Sequence, residues 1–400
     1  MTAPNLNAAP LSVFLVVGEE SGDQLGAALM RSLKALHGDT VRFAGVGGER
    51  MAAEGLASLF PLSDIAVMGL TAVLQRLPSI VRRVYETVDA VVAAQPDVLV
   101  IIDSPEFTHN VAKRVRKRAP GIPIVDYVSP SVWAWRSGRA GKMAAYVDHL
   151  LALLPFEPEV HRRLGGPPTT YVGHTVFERI DALHPAPGER PEISAAEAPV
   201  LLVLPGSRRN EIARLLDPFA AAVHRIASAR SDIRFVLPAV GHLEGDIRAK
   251  VASWPVQPEV IGGEAAKFAA FRKAHAALAA SGTVSLELAI SGVPMVVAYK
   301  LDWFLRRVRD AQRLFRFSGV NSMVLPNIIL EDKVVPEFLE EEVTPEALAT
   351  AVLDLLADTP QRRRQIEAFG RLEDMMRLED GESQSGKAAR IVTEVARRGR

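Results

Sequence analysis

A strand-to-helix turn built from a glycine, a serine and an arginine can hold phosphate. The run Leu204-Pro205-Gly206-Ser207-Arg208-Arg209-Asn210-Glu211-Ile212 has this form. It follows Pro199–Leu204, an apolar run that reads as a buried strand. It precedes Ile212–Ala227, which reads as a helix with a break or kink expected near Pro218. Free N–H groups at a helix N-terminus, a hydroxyl and a permanent cationic fork all favour an anion there. A second turn, Ala280-Ser281-Gly282-Thr283-Val284-Ser285-Leu286-Glu287, repeats the logic between another strand and another helix. Thr283 and Glu287 are four apart and share a helix face. Two such turns in one half suit a diphosphate, and Glu287 could accept hydrogen bonds from a ribose diol. The plainer reading is that Ser281 only caps its helix.

Three more groups lie in the other half. Asp103, in Ile101-Ile102-Asp103-Ser104-Pro105-Glu106-Phe107, stands at the carboxyl end of a buried strand, where open α/β sheets place chemistry. It can serve as a carboxylate base, taking an alcohol proton as a bond to an electrophile forms. Its plainer role is to cap the helix beginning near Thr108. Gly18-Glu19-Glu20-Ser21-Gly22-Asp23 joins the first strand to the first helix, with Ser21 or Asp23 as a cap or a ligand contact. It lacks the G-x-G-x-x-G spacing of a dinucleotide site. Gly45-Val46-Gly47-Gly48 is a weaker signal of the same kind. Tyr127-Val128-Ser129-Pro130-Ser131-Val132-Trp133-Ala134-Trp135-Arg136 carries two of the four tryptophans after another strand end. It reads as a substrate-facing loop or as a plug on the sheet.

These groups must be positioned by alternating elements. In the first half, strands are expected at Ser12–Val17, Val41–Val46, Asp97–Ile102, Pro123–Val128 and His149–Leu154. Helices are expected at Gly22–His37, from Glu49, and at Leu77–Ala94, Thr108–Ala119 and Lys142–Val147. The rhythm restarts with strands Val200–Leu204, Arg234–Pro238, Val260–Gly262, Ala276–Ala280 and Pro294–Tyr299. This βαβ alternation predicts an α/β protein with two doubly wound, Rossmann-like parallel sheets and a ligand cleft between them. The expected limits are a first domain over 1–183, a Pro/Ala/Glu/Gly-rich linker over 184–199, a second domain over 200–370 and a helical segment over 371–400. That last segment has a break at Asp380-Gly381-Glu382-Ser383 and either returns to the first domain or pairs with a second copy as a homodimer.

Composition narrows the function. With 47 basic and 47 acidic residues, the chain carries no net charge, which argues against a nucleic-acid binder. The absence of cysteine excludes disulfides and thiolate metal sites. The nine histidines show no H-x-x-H or H-E-x-x-H spacing, so no metal site is expected. The apolar run Leu11–Val17 reads as a core strand, not a signal peptide, and no segment reaches membrane-spanning length. Arg306, Arg309, Arg313 and Arg316 would line one helix face beside Trp303, Phe304, Phe315 and Phe317. Met68–Leu74, followed by Arg76, Arg82 and Arg83, is a second apolar-then-basic surface. Each is either a solvated face or an attachment to an anionic membrane.

The chain resembles the lipid-A-disaccharide synthases, glycosyltransferases of the GT-B fold, glycosyltransferase family 19. The resemblance rests on Gly18–Asp23, on Asp103 with Pro105 and Phe107, and on Val128–Arg136, whose Ser-Pro-Ser-Val-Trp-Ala-Trp run is highly specific. It continues through Gly173-His174, Leu204–Arg208 with Glu211, Ala280–Thr283 with Glu287, Pro294–Val297 and Leu325-Pro326-Asn327. Glu20, Ser104 and Glu106 depart from the usual pattern. The resemblance implies transfer from UDP-2,3-diacylglucosamine to the 6-hydroxyl of 2,3-diacylglucosamine 1-phosphate, inverting to a β-1,6 linkage, with no cofactor. It implies Asp103 as base and Arg208 on the departing UDP. As substrate-binding residues it implies Gly18, Glu19, Ser21, Gly22, Asp23, Ser129, Trp133, Trp135, Gly206, Ser207, Ser281, Gly282, Thr283, Glu287 and Asn327. It implies a cytoplasmic protein held peripherally on the inner membrane's cytoplasmic face. The alternatives are another GT-B sugar-nucleotide enzyme, such as an epimerase or a peptidoglycan glycosyltransferase, and a non-catalytic regulator that binds sugar nucleotides or lipid.

Overall fold

The computed structural model describes residues 10–65, 70–134, 136–300, 322–378 and 381–398. Trp135 and the arginine series at 306–316 lie outside the described residues, as does Met68. The chain divides into two compact units, Met1–Thr175 with Leu378–Arg400, and Val176–Arg377.

In the first unit the chain runs β1 (Leu11–Val17), α1 (Glu20–His37), β2 (Val41–Val46), α2 (Glu49–Ala53), α3 (Leu70–Ala94) and β3 (Val98–Ile102). It continues as α4 (Thr108–Arg118), β4 (Ile124–Tyr127), α5 (Gly138–Met143), β5 (His149–Ala152), α6 (Glu157–Arg163) and β6 (Thr169–Tyr171). All six strands are parallel, in the order β2-β1-β3-β4-β5-β6. Alternation along the strands sends side chains to both faces. Val13, Leu15, Val17, Val100 and Ile102 pack on α1, while Phe14, Val16, Leu99 and Ile101 pack on α3 and α4. Burial on both faces is why these strands read as unbroken apolar runs. Helix α1 buries Leu25, Leu29, Met30 and Leu33, a stripe at helical spacing, and stops at Gly38, whose φ is +60°. The short helix expected at Lys142–Val147 lies earlier, at α5. The N–H groups of Tyr146 and Val147 both turn back to the Met143 carbonyl and lead into β5.

The second unit runs α7 (Ile180–Leu183), β7 (Val200–Leu204), α8 (Arg209–Ala229), β8 (Arg234–Ala239), α9 (Glu244–Val251), β9 (Glu259–Gly262), α10 (Glu264–Lys273) and β10 (Ala276–Ala280). Then come α11 (Val284–Ile290), β11 (Met295–Tyr299), α12 (Leu325–Leu330), β12 (Glu337–Leu339), α13 (Pro345–Leu355) and α14 (Pro360–Met376). Its parallel sheet has the order β12-β11-β10-β7-β8-β9. Helix α8 runs unbroken through Pro218, against expectation. The buried stripe Leu215, Leu216, Phe219, Ala222 and Val223 lies on both sides of the proline. That packing outweighs the lost hydrogen bond and ring clash, about 3 kcal/mol.

The domain limits differ from expectation. Residues 184–199 lie within the second unit rather than standing as a linker. The reason is Arg190, whose guanidinium donates to the carbonyls of Phe271, Arg272, Ser291 and Gly292. These are carbonyls at the C-terminal ends of α10 and α11, where a cation suits the helix dipole. Helix α15 (Gln384–Arg398) returns to the first unit. It places Ala388, Val392 and Ala396 in the same core as α1.

Candidate active site

In each sheet the chemistry-bearing turns stand at the point where strand order reverses. In the first sheet this lies between β1 and β3, where Val17 pairs with Ile102. Gly18 and Asp103 therefore leave the sheet side by side. A Cβ at Gly18 would stand 2.2 Å from the Ser104 Cβ, so only glycine lets the two loops approach. Gly22 is buried, and a Cβ there would stand 3.2 Å from the Ile102 carbonyl oxygen. Ser21 Oγ donates to Asp103 Oδ2 at 3.0 Å, and Ser104 N donates to Oδ1 at 2.7 Å. Asp103 does not cap α4: the N-cap is Phe107, without a side-chain cap.

Asp103 and Ser104 both hold left-handed backbone, at φ +54° and +48°. Such residues cost about 1–3 kcal/mol each and persist only when their surroundings fix them. Here Thr108 Oγ1 donates to the Asp103 carbonyl at 2.6 Å, while the Asp103 N–H continues the ladder to Tyr127. The result is a half-buried carboxylate aimed by a hydroxyl at the carboxyl edge of the sheet.

Glu19 is the half-buried N-cap of α1, with extended backbone. The structure gives Asp23 a different job from substrate contact. It is buried, and its carboxylate accepts from the N–H groups of Gly48, Arg50 and Met51 at 2.7, 2.9 and 3.2 Å. It caps α2 rather than its own helix and ties the Gly18 and Gly48 loops together. Beneath Asp103 lies a network that sequence reading missed. Asp126 is fully buried in β4, with Oδ2 3.0 Å from His109 Nε2, and His109 Nδ1 lies 2.9 Å from the Tyr146 hydroxyl. Burial pushes the Asp126 carboxyl up, opposed by His109. A charged residue inside the apolar run Pro123–Val128 was the available signal.

The tryptophan loop leaves β4 through Val128 at φ +92°, a genuine outlier for a β-branched residue. Ser129 is buried, with Oγ 2.8 Å from His161 Nε2. Half-buried Trp133 meets Phe156 edge-on and donates from Nε1 to Glu157 Oε1 at 3.3 Å. Glu106, on the Asp103 loop, pairs with Arg139 at 2.6 Å, and Arg136 lies 3.7 Å away. Arg139 chiefly holds the Glu106 carboxyl below its usual value.

In the second sheet the reversal lies between β7 and β10, with Leu204 paired to Ala279. The two phosphate-type turns are thereby neighbours. Gly206 has φ +118°, and a Cβ there would collide with the Glu211 carboxylate at 2.3 Å. Ser207 N donates to Glu211 Oε2 at 3.1 Å, so a carboxylate already occupies one anion-seeking N–H. Arg208 is the extended N-cap of α8, exposed and engaged by no acceptor among the described residues. In the partner turn, Gly282 has φ +152°, Thr283 is the exposed N-cap of α11, and Ser281 Oγ donates to the Met323 carbonyl at 2.5 Å. Glu287 Oε2 pairs with Lys267 Nζ at 2.5 Å.

Asn327 departs from expectation. It lies within helix α12 and is 3% exposed, held in the fold rather than presented to a ligand. Its Nδ2 donates to Val335 O and Ser322 Oγ, and its Oδ1 accepts from Val334 N and Val335 N. All four hydrogen-bonding positions of the amide are filled, leaving none for a nucleotide.

The profile of the family described as lipid-A-disaccharide synthetase matches residues 13–392. The chain belongs to that family. It is 52% identical over 388 residues to a lipid-A-disaccharide synthase of Bradyrhizobium diazoefficiens, covering 97% of each chain. It is 54% identical over 392 residues to the one of Nitrobacter winogradskyi, covering 97% of this chain and 96% of that one. Among solved structures, a glycotransferase of kitacinnamycin superposes with a TM-score of 0.61 at 18% identity, covering 97% of this chain and 99% of that one. That likeness speaks to the fold alone, the two-domain α/β arrangement of GT-B enzymes. The chain is thus a glycosyltransferase of lipid A disaccharide synthesis. As in other open α/β sheets, the Gly18, Asp103, Gly206 and Ser281 turns stand at strand-order reversals.

Proposed function

We propose that the enzyme transfers a diacylglucosamine from its UDP conjugate to the 6-hydroxyl of diacylglucosamine 1-phosphate, with inversion. The acceptor oxygen attacks the anomeric carbon as the bond to UDP breaks. The acceptor proton passes to Asp103, and UDP carries away the bonding pair. The observation that carries the base assignment is the aimed, strained carboxylate of Asp103, held by Ser21. Arg208, with the N–H groups of the Gly206-Ser207 and Ser281-Gly282-Thr283 turns, stabilises charge growing on the departing diphosphate. Binding a phosphate at Ser207 N displaces the Glu211 carboxylate.

The acyl chains of both substrates call for contact with a membrane surface. Leu77, Val81 and Tyr85, four apart on α3, are each about half exposed, with Arg76 and Arg82 exposed beside them. An apolar stripe flanked by cations suits an anionic bilayer. Among the described residues no helix is long and apolar enough to cross one.

The test supplies the diacylated UDP donor with and without the acceptor. UDP release that requires the acceptor, with a disaccharide 1-phosphate mass, is the expected result. Turnover of the donor alone, or transfer only to a peptidoglycan precursor, overturns the reading. Vesicles containing anionic lipid should sediment the protein, less so at high salt.

A further inference from the structure

The tryptophan loop begins on strained backbone at Val128, so something must hold it. Two groups on α6 do so. Glu157 and His161 are four apart and share a face, and both are buried. Glu157 Oε1 accepts from Trp133 Nε1, while Oε2 accepts from the N–H groups of Leu153 and Leu154 at 3.2 and 3.0 Å. His161 Nε2 reaches Ser129 Oγ, and Nδ1 has no hydrogen-bond partner. A Cβ at Gly166 would stand 2.5 Å from that Nδ1, so the ring fits only because residue 166 is glycine.

A buried orphan N–H costs more than a bare ring nitrogen, which places the imidazole proton on Nε2. His161 then donates to Ser129, whose own hydroxyl donates to the Pro130 carbonyl at 3.1 Å. No carboxylate orients Nδ1, so this is not a nucleophilic triad.

We propose that Glu157 and His161 clamp the loop that carries Ser129 and Trp133, and that Glu157 is a proton-gated latch positioning this loop for the acceptor lipid. The proposal rests on the reading of this loop as substrate-facing. With Glu157 ionised, both oxygens accept and the latch is closed. A proton goes to Oε1, the oxygen free of backbone donors. It then faces the indole N–H, and the latch opens. Burial lifts this carboxyl to about 7, the range in which such a gate works. Among the described residues, the titratable groups beside it are His161, one turn on along its own helix and kept neutral by burial, and Tyr171 on β6, whose hydroxyl burial and the Glu157 charge push up.

Tryptophan emission of the full-length protein, followed across pH 5.5–8.5, tests the latch without any substrate. The wild type should show a transition near pH 7 that Glu157→Gln abolishes and that Glu159→Gln, an exposed neighbour, retains. A transition that survives in Glu157→Gln overturns the latch. Trp133→Phe serves should Glu157→Gln not fold: it should erase the transition, and an unchanged transition again overturns the proposal. The KM for the acceptor should be about tenfold higher at pH 6 than at pH 8, since only the ionised fraction is competent. It should be flat in Glu157→Gln. A latch seen by fluorescence with a pH-independent KM removes the acceptor role. Failure of all transfer, with the transition intact, defeats the functional reading and spares the latch.

Discussion

At the scale of single residues, Asp103 and Gly206 carry the sharpest consequences. Asp103→Asn keeps the contacts to Ser21 and Ser104 in shape but cannot take a proton. Turnover should fall about 10²–10⁴-fold while UDP affinity stays within twofold, read by steady-state kinetics and calorimetry. An unchanged kcat rejects the base assignment. Gly206→Ala forces a Cβ into the Glu211 carboxylate on backbone at φ +118°. UDP affinity should drop at least about tenfold, a loss of 1.4 kcal/mol or more. Residue types in the sequence predicted both positions. They did not predict the left-handed pair at Asp103-Ser104 or the carboxylate already seated on Ser207, because both depend on what the neighbouring loop places against them.

Among the elements, the short segment around Arg190 shows how composition can mislead. Pro, Ala, Glu and Gly without periodicity suggested a linker, yet one guanidinium gathers the carbonyls of two helix ends. Arg190→Ala leaves those buried and half-buried acceptors without the guanidinium. It should destabilise the protein by about 3 kcal/mol in urea denaturation, and Arg190→Lys should recover less than half, lacking the planar fork. A loss under 0.5 kcal/mol would show that water replaces the guanidinium. Helix α8 makes the converse point: a proline's local preference yields to apolar packing on either side of it.

For the whole molecule, buried neutral histidines set the response to acid. His275 Nδ1 accepts from Val200 N at 3.0 Å and Nε2 donates to the Pro191 carbonyl at 3.2 Å, which fixes the neutral form. Burial, with Arg362 and Arg190 nearby, lowers it to about 4. The folded value is depressed, so this stability is present above pH 6.5 and is lost as pH falls towards 4. His275→Gln keeps one acceptor and one donor and should flatten that loss in urea melts across pH 4–7; an identical slope refutes the assignment. Glu157 acts in the opposite sense: its raised value means that stability falls as pH rises from 4.5 to 7. By itself the sequence determined two parallel sheets, since buried strands and helix stripes are local patterns of apolar spacing. It also determined which turns could hold a diphosphate and a base, because glycine, serine, arginine and aspartate carry that chemistry wherever they stand. Only the tertiary structure decided that Asp23 caps a foreign helix, that Asn327 is spent on its own fold, and that Glu157 and His161 hold the tryptophan loop. Each of those rests on a partner distant in sequence or on a loop's exact path, and hydrogen-bond geometry is set by packing, not by spacing along the chain.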